Sequence, residues 1–259
     1  MKIVVCVKQV PDTETRIRIA PEGNALLESD VNWVVSPYDE FAIEAALRQK
    51  EKHTGEVVLI GLGPDRIQQS LRTGLAMGAD SAIHLKDPLF EATDTLGVAR
   101  ALAGAIRTLG NVDLILLGQQ GVGGDNSQVP GLLAEILDLP QVTMAVKIEI
   151  ADGKASVERE IEGAHEAWEA TLPCVISAQK GLNEPRYASL KGIMGAKKKT
   201  IQALDAAGVS LDAATLAPKL KVTALELPPA RPAVKLIQGD PASQAKELLR
   251  LLHEEAKVI

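Results

Sequence analysis

The sequence predicts an α/β protein built on a doubly wound parallel sheet, and three observations lead there. Over roughly the first 140 residues, short apolar runs alternate with amphipathic stretches of helical period, the pattern of strand–helix–strand units. The runs, such as VVCV and LILL, are apolar throughout rather than alternating, which suits strands covered on both faces. Glycine clusters follow two of them, at Gly61-Leu62-Gly63-Pro64 and from Gly118 to Asp125, where a strand of a parallel sheet would give way to its next helix.

The elements follow in order. Ile3 to Val7 is the first strand. Asp39 to Glu51 reads as a helix with Phe41, Ile43, Ala45, Ala46 and Leu47 on its apolar face and Pro37 just ahead of it. Asp39 could cap that helix or face a ligand. Val57 to Ile60 is the second strand, followed by a helix over Asp65 to Met77 that Pro64 opens and Gly78 closes. Ser81 to Leu85 is the third strand, and Asp94 stands in capping position for a helix running to Leu109. Val112 to Leu117 is the fourth strand, and Ser127 to Leu137 a helix with Pro130 near its start. Right-handed crossovers place Lys8 to Pro11, Gly61 to Pro64 and Gly118 to Asp125 on one rim, beyond the carboxyl ends of the strands.

From Val142 the pattern changes. Val142–Ile150 and Ala155–Ile161 flank Asp152-Gly153, a turn signal for an antiparallel hairpin. Ala164–Thr171 reads as its third strand, and Pro173–Ala178 as a return to the main sheet. An α/β domain is thus expected over 1–199 and a C-terminal arm over 200–259. In the arm, Pro228 to Pro232 reads as an extended linker. Pro241 to Lys257 reads as an amphipathic helix carrying Leu248, Leu249, Leu251 and Leu252, able to pack on its own domain or on another subunit.

Composition narrows the function. Hydrophobic residues make up 46% of the 259 but aromatics only 2%, so the core must be aliphatic and base stacking on an aromatic platform is not expected. A formal net charge of -6 argues against a general nucleic-acid binder. No run approaches the ~18 apolar residues of a membrane span. Strand-like sequence begins at Lys2, so no leader is expected, and the expected compartment is the cytoplasm, or the mitochondrial matrix in a eukaryote. Cys6 and Cys174 lie in strand-like runs and read as buried thiols, and no Cys/His spacing suggests a metal. No nucleophile–base arrangement stands out, so no catalytic residue is expected.

Two stretches invite a binding role. Gly118 to Asn126 follows the fourth strand, and glycines there let backbone amides and the next helix's N-terminus approach a phosphate. It is not a Walker loop, because no Gly-Lys-Ser/Thr follows. Gly61 to Pro64 would form the opposite wall, Cys6 the floor, and Ser36 to Asp39 a further contact. The second stretch is 181–199, GLNEPRYASLKGIMGAKKK. Its apolar Leu190, Ile193 and Met194 beside Lys197, Lys198 and Lys199 suit an amphipathic helix with a solvated basic end. They also suit, though on residue chemistry alone less well, a surface that docks acidic partners around an apolar anchor. Glu158, Glu160 and Glu162 share one strand face, as on a solvated hairpin.

The run LNEPRYASL followed by GIMGAKKK resembles the recognition loop of the electron transfer flavoprotein beta subunit. MKIVVCVKQVPD, LRTGLAMGAD, VDLILLGQQ and VEREIEG are similar to other segments of that family, so the resemblance runs from the first residue to Lys199, with a looser tail. It implies a Rossmann-like, adenine-nucleotide-binding fold in an electron carrier subunit that performs no reaction itself. It implies an alpha subunit partner that mainly holds FAD and is wrapped by the C-terminal helix. Electrons would arrive from acyl-CoA dehydrogenases of fatty acid oxidation, or from other flavin dehydrogenases, and leave to a quinone reductase. AMP would lie against Cys6, Ser36, Pro37, Tyr38, Asp39, Leu62, Gly118, Gln119, Gln120, Gly121, Val122, Gly123, Gly124, Asp125, Asn126, Ser127, Gln128 and Val129. The string from Gly123 to Val129 departs from the common AMP pattern and resembles electron-bifurcating members, in which a second FAD takes this place. Leu190 would be the docking anchor, with Ile193, Met194 and the three lysines around it, and Glu160 would face the flavin-carrying domain. A nucleotide-binding module similar to ATP-holding stress proteins would explain the rim glycines but not residues 182–199. An adenylating enzyme of the ATP pyrophosphatase kind would need a Ser-Gly-Gly-x-Asp-Ser loop after the first strand, which is absent.

Overall fold

A strand of β-branched and small apolar residues, β1 (Lys2–Val7), runs through the middle of a nine-stranded sheet. The structure, a computed structural model, describes residues 1–231 and 233–259. The other strands are β2 (Gln9–Pro11), β3 (Trp33–Val35), β4 (Glu56–Leu62), β5 (Ser81–Leu85), β6 (Leu114–Gly118), β7 (Gln141–Ala151), β8 (Lys154–Ile161), β9 (Ala164–Thr171), β10 (Cys174–Ala178) and β11 (Ile201–Leu204). The helices are α1 (Pro37–His53), α2 (Ile67–Met77), α3 (Pro88–Glu91), α4 (Thr95–Thr108), α5 (Val129–Leu137), α6 (Leu190–Lys198), α7 (Ala213–Leu216) and α8 (Pro241–Arg250).

The sheet order is β11-β5-β4-β1-β6-β10-β7-β8-β9. Neighbours from β11 to β7 are parallel, and β7-β8-β9 is an antiparallel meander at one end. Period-2 alternation divides each central strand between two cores. Ile3, Val5, Leu59, Leu114 and Leu116 pack with Ile43 and Leu47 of α1 and Leu71 and Leu75 of α2. Val4, Cys6, Ile60, Ile115 and Leu117 pack with Leu102 and Ile106 of α4 and Leu133 of α5. The doubly wound architecture expected from the sequence is the one observed, with helices on both faces of a mostly parallel sheet.

Several boundaries differ for local reasons. α1 starts at Pro37 with Ser36 in the N-cap position, so Asp39 sits in the first turn and does not cap the helix. The turn at Pro64 closes through an Ile67 N–H to Pro64 carbonyl bond of 3.0 Å, so α2 begins at Ile67 rather than Asp65. α5 begins at Val129 rather than Ser127, because Asp125 (φ 48°) and Ser127 (φ 52°) lie in the left-handed region and interrupt a right-handed helix. The hairpin turn expected at Asp152-Gly153 is present, with both residues at positive φ.

The chain divides into Met1–Ala224 and Leu225–Ile259, so the boundary expected after Lys199 lies later. The reason is β11, which pairs with β5 as an edge strand of the main sheet, and α7, whose Leu216 is buried. In the second unit, residues 225–231 and 233–240 form no regular element; Pro232, in the expected linker, lies outside the described residues. Asp240 caps α8 by accepting from the Ala242 and Ser243 amides, and α8 continues into a π turn over Leu251–Glu255. Leu248 and Leu249 on this helix are exposed.

Candidate functional site

The sheet's strand order reverses between β1 and β6, and a crevice opens beyond their carboxyl ends. Asp39 ties the two strand ends together. Its Oδ2 accepts from the Lys8 backbone amide at 2.7 Å and its Oδ1 from the Gly118 amide at 2.8 Å. A side chain at 118 would stand 2.5 Å from Asp39 Oδ1, so this approach requires glycine. Burial pushes the Asp39 carboxyl up to about 7, against the pull of the two amides and the Lys8 ammonium. Beside it, burial and then the Asp39 charge push the Cys6 thiol far above its ordinary range, so Cys6 meets the cleft as a protonated thiol.

The loop after β6 is held by its own side chains. Ser36 Oγ donates to the Gln120 carbonyl (3.3 Å), Gln120 Nε2 to Asp125 Oδ1 (2.9 Å) and Ser127 Oγ to Gln120 Oε1 (2.8 Å). Ser177 Oγ holds Gln119 Oε1 at 3.0 Å from behind. α5 starts here with no side-chain cap, whereas α4 begins under the Asp94 carboxylate. An uncapped helix N-terminus presents free amides and the positive end of its dipole. The Lys8 ammonium lies over the loop, 2.8 Å from where a Gly121 Cβ would be.

These parts enclose a cleft of about 1150 Å³. Of the residues expected at a nucleotide, Cys6, Asp39, Leu62, Gly118 to Gly121 and Gly124 to Val129 line it together. Ser36, Pro37, Tyr38, Val122 and Gly123 do not line it; Ser36 and Asp39 instead brace the loop and strand ends that do. The residues present fit a mononucleotide. Leu62, Val98 and Leu102 offer apolar surface for a base, and the loop amides, α5 and Lys8 offer donors and positive charge for a phosphate.

The stretch expected to dock partners forms a separate surface. Its first half is tethered to α1. Arg186 donates to Glu44 (Nε to Oε2, 2.7 Å) and to Glu51 (2.5 Å), and Asn183 Nδ2 donates to the Phe41 carbonyl (2.9 Å). Burial would raise Glu44, but bonds from Arg186 and Arg48 outweigh it and hold its carboxyl below the usual range. The second half is α6, capped by Ser189 and pressed onto α2. Arg72 donates to the Ala196 and Lys199 carbonyls, both at 2.5 Å. Leu190, Met194 and Ile193 stay 75%, 60% and 43% exposed, next to the exposed Lys197 and Lys198. Lys199 differs from the expectation: its ammonium turns inward to the Ala79 carbonyl, because it closes the joint between α6 and α2. Glu160 is exposed on β8, opposite His165 of β9.

The profile of the electron transfer flavoprotein domain matches residues 23–209. Over its whole length the chain is 43% identical to the electron transfer flavoprotein subunit beta of Bacillus subtilis, covering all of that protein. It is 38% identical to the subunit of the same name from Sus scrofa over 100% of this chain and 99% of that one. The chain belongs to the electron transfer flavoprotein beta-subunit family. Within this family member, several parts of the cleft were not among the residues expected at a ligand, the apolar Val98 and Leu102 of α4 among them. Lys8 stood on the rim in the sequence but was not assigned to the loop it covers. The turn Ala92 to Thr95 and residues 218–222 form a further wall. The capping position of Asp94 was the one local signal for that wall, since its second carboxylate oxygen holds residues 219 and 220. No helix of the described residues is long and apolar enough to cross a membrane.

Proposed function

We propose that this chain is the non-redox half of an electron-carrying heterodimer. It binds AMP in the cleft between β1 and β6, seats an alpha subunit that holds FAD, and docks flavin dehydrogenases, acyl-CoA dehydrogenases among them, through Leu190 on α6. FAD supplies the redox chemistry when bound, and the electrons pass on to a quinone reductase. This chain's own residues supply position and recognition, with no catalytic group among them. Glu160, exposed on the meander, faces the alpha subunit, and the complex works in the cytoplasm, or in the matrix of a mitochondrion.

The observation that carries this reading is an apolar prong held rigid yet exposed. Arg186, Gly192 and Lys199 fix α6 to α1 and α2, while Leu190 remains 75% exposed. A fold gains nothing for its own core from such a side chain, whereas a short-lived complex gains contact energy from it. A second reading, two FAD per heterodimer, draws on the Gly-Asp-x-x-Gln-Val string and on the cleft volume of about 1150 Å³. That volume is above the ~300–1,000 Å³ of common small-molecule sites. The test is to denature the purified heterodimer and separate the released nucleotides. One FAD with one AMP supports the first reading, two FAD the second, and FAD alone removes the nucleotide role of the cleft.

A further inference from the structure

One wall of the cleft comes from 218–222, a segment with no helix or strand of its own. Its Leu220 and Val222 are largely exposed, so burial does not hold it in place. Three side chains at the start of α4 do. Thr93 Oγ1 donates to the Leu216 carbonyl at 2.7 Å and Arg100 to the Thr215 carbonyl at 2.5 Å, fixing the approach to the segment. Asp94 Oδ2 then accepts from the Lys219 and Leu220 amides at 2.6 and 3.2 Å. Asp94 Oδ1 is occupied by the Leu96 and Gly97 amides of α4, both at 3.1 Å, so one carboxylate joins the helix start to the segment.

The charges lining the cleft are unequal in what they have left to offer. The carboxylates are committed: Asp39 to two amides, Asp94 to four, Asp125 to Gln120. Lys219 and Lys221 line the cleft from the segment, and Lys8 from beside Gly121 of the glycine loop. A ligand in the cleft meets cations from two separate segments together with the amides of the loop, which is the environment of a phosphate-bearing molecule.

We propose that residues 218–222 are a strap that closes the cleft over a phosphate-bearing nucleotide, with Lys219 and Lys221 as binding residues and Thr93, Asp94 and Arg100 as the latch that positions it. This rests on the nucleotide reading of the cleft and adds to it the wall that retains the ligand. Arg100 does not itself line the cleft, so its effect on retention must pass through the strap.

The full-length chain, purified with its partner subunit and stripped of nucleotide, is titrated with AMP and with ADP by calorimetry. Lys219→Ala with Lys221→Ala is expected to weaken both about tenfold or more, with a larger loss for ADP and a smaller salt dependence than wild type. Arg100→Met is expected to speed nucleotide dissociation about tenfold while the melting temperature of the empty protein stays near wild type. Trypsin provides a second readout: AMP should protect the bonds after Lys219 and Lys221 in wild type and fail to protect them in Arg100→Met. Unchanged affinity in the double variant, or unchanged dissociation and protection in Arg100→Met, overturns the strap. Wild type that binds neither nucleotide overturns the nucleotide reading and the strap with it, and that result is visible before any substitution is made.

Discussion

Asp39 does two jobs with one carboxylate: it clamps the ends of β1 and β6 and it lines the crevice between them. Its folded value of about 7 stands above the ordinary 3.8 because burial disfavours the charge. Between those values the folded chain keeps a proton that the unfolded chain has released. The contribution of Asp39 to stability therefore falls as pH rises from about 4 through 7, by an amount on the order of 4 kcal/mol. Asparagine in its place can accept from only one of the two amides. Asp39→Asn should thus be less stable by about 1–3 kcal/mol at pH 5 and should lack the fall that Asp39 causes between pH 5 and 8, where the other carboxylates are already ionised. Urea unfolding across that range checks it, and a variant curve with the wild-type slope would move the titration to another group. Nothing local revealed the clamp, since an aspartate at a helix start reads first as a cap and the amide that decides its role lies 79 residues away. Leu190 is the opposite case, legible from its neighbours because an apolar residue beside lysines has no core to join. Leu190→Ala removes a side chain that is 75% exposed, so unfolding free energy should change by less than about 0.5 kcal/mol. If it is the docking anchor, stopped-flow reduction of the heterodimer by a dehydrogenase should slow about tenfold or more. Unchanged rates would remove it from the contact.

At the scale of elements, α6 is placed by backbone proximity more than by its apolar face. A Cβ on Gly192 would stand 2.2 Å from the Ala76 carbonyl oxygen of α2, a backbone atom that cannot swing aside. A Cβ on Gly195, one turn along the same helix, would meet nothing within 4 Å. The two glycines therefore predict opposite outcomes for one chemical change. Gly192→Ala should lift α6 from α2, destabilise by about 1–3 kcal/mol, and slow electron uptake although Leu190 is intact. Gly195→Ala should be neutral or stabilise by up to about 1 kcal/mol through helix propensity. Thermal melts and reduction kinetics of the pair, run side by side, separate placement from composition; equal behaviour would mean that α6 is not seated through Gly192. The elements legible in the sequence were those with a full apolar period or a cap of their own, such as β1, α4 under Asp94, and the β7–β8 hairpin at Asp152-Gly153. β11 was not, because four residues at a sheet edge, half exposed and half intermediate, carry too little pattern. The strap was not legible either, because an extended lysine-bearing segment looks like any linker until Asp94 is seen to hold it.

At the scale of the whole chain, the division of labour between the two units can be put to a test. Among the described residues, every buried hydrophobic lies at or before Leu216, and α8 contributes none. The sheet, both cores, the cleft with its strap, and α6 all belong to Met1–Ala224. The second unit has its own signals of helix formation, an Asp240 cap and an Arg250 held by Glu247 and Glu254, yet its Leu248, Leu249, Val258 and Ile259 stay exposed. Apolar side chains at a well-capped helix with no core of their own are what a partner subunit would cover. A chain ended after Ala224 should therefore melt within about 2 °C of the full-length chain when each is made alone, since the deleted residues hold no buried core. It should also bind AMP as tightly, because strap and loop are retained. What it should lose is the partner: co-expressed with the alpha subunit, it should fail to co-elute with that subunit on gel filtration, or do so at least tenfold more weakly. Retained co-elution would assign the subunit interface to the first unit and leave the C-terminal helix without a role, whereas a large drop in the melting temperature of the isolated chain would mean that α8 supports the core directly.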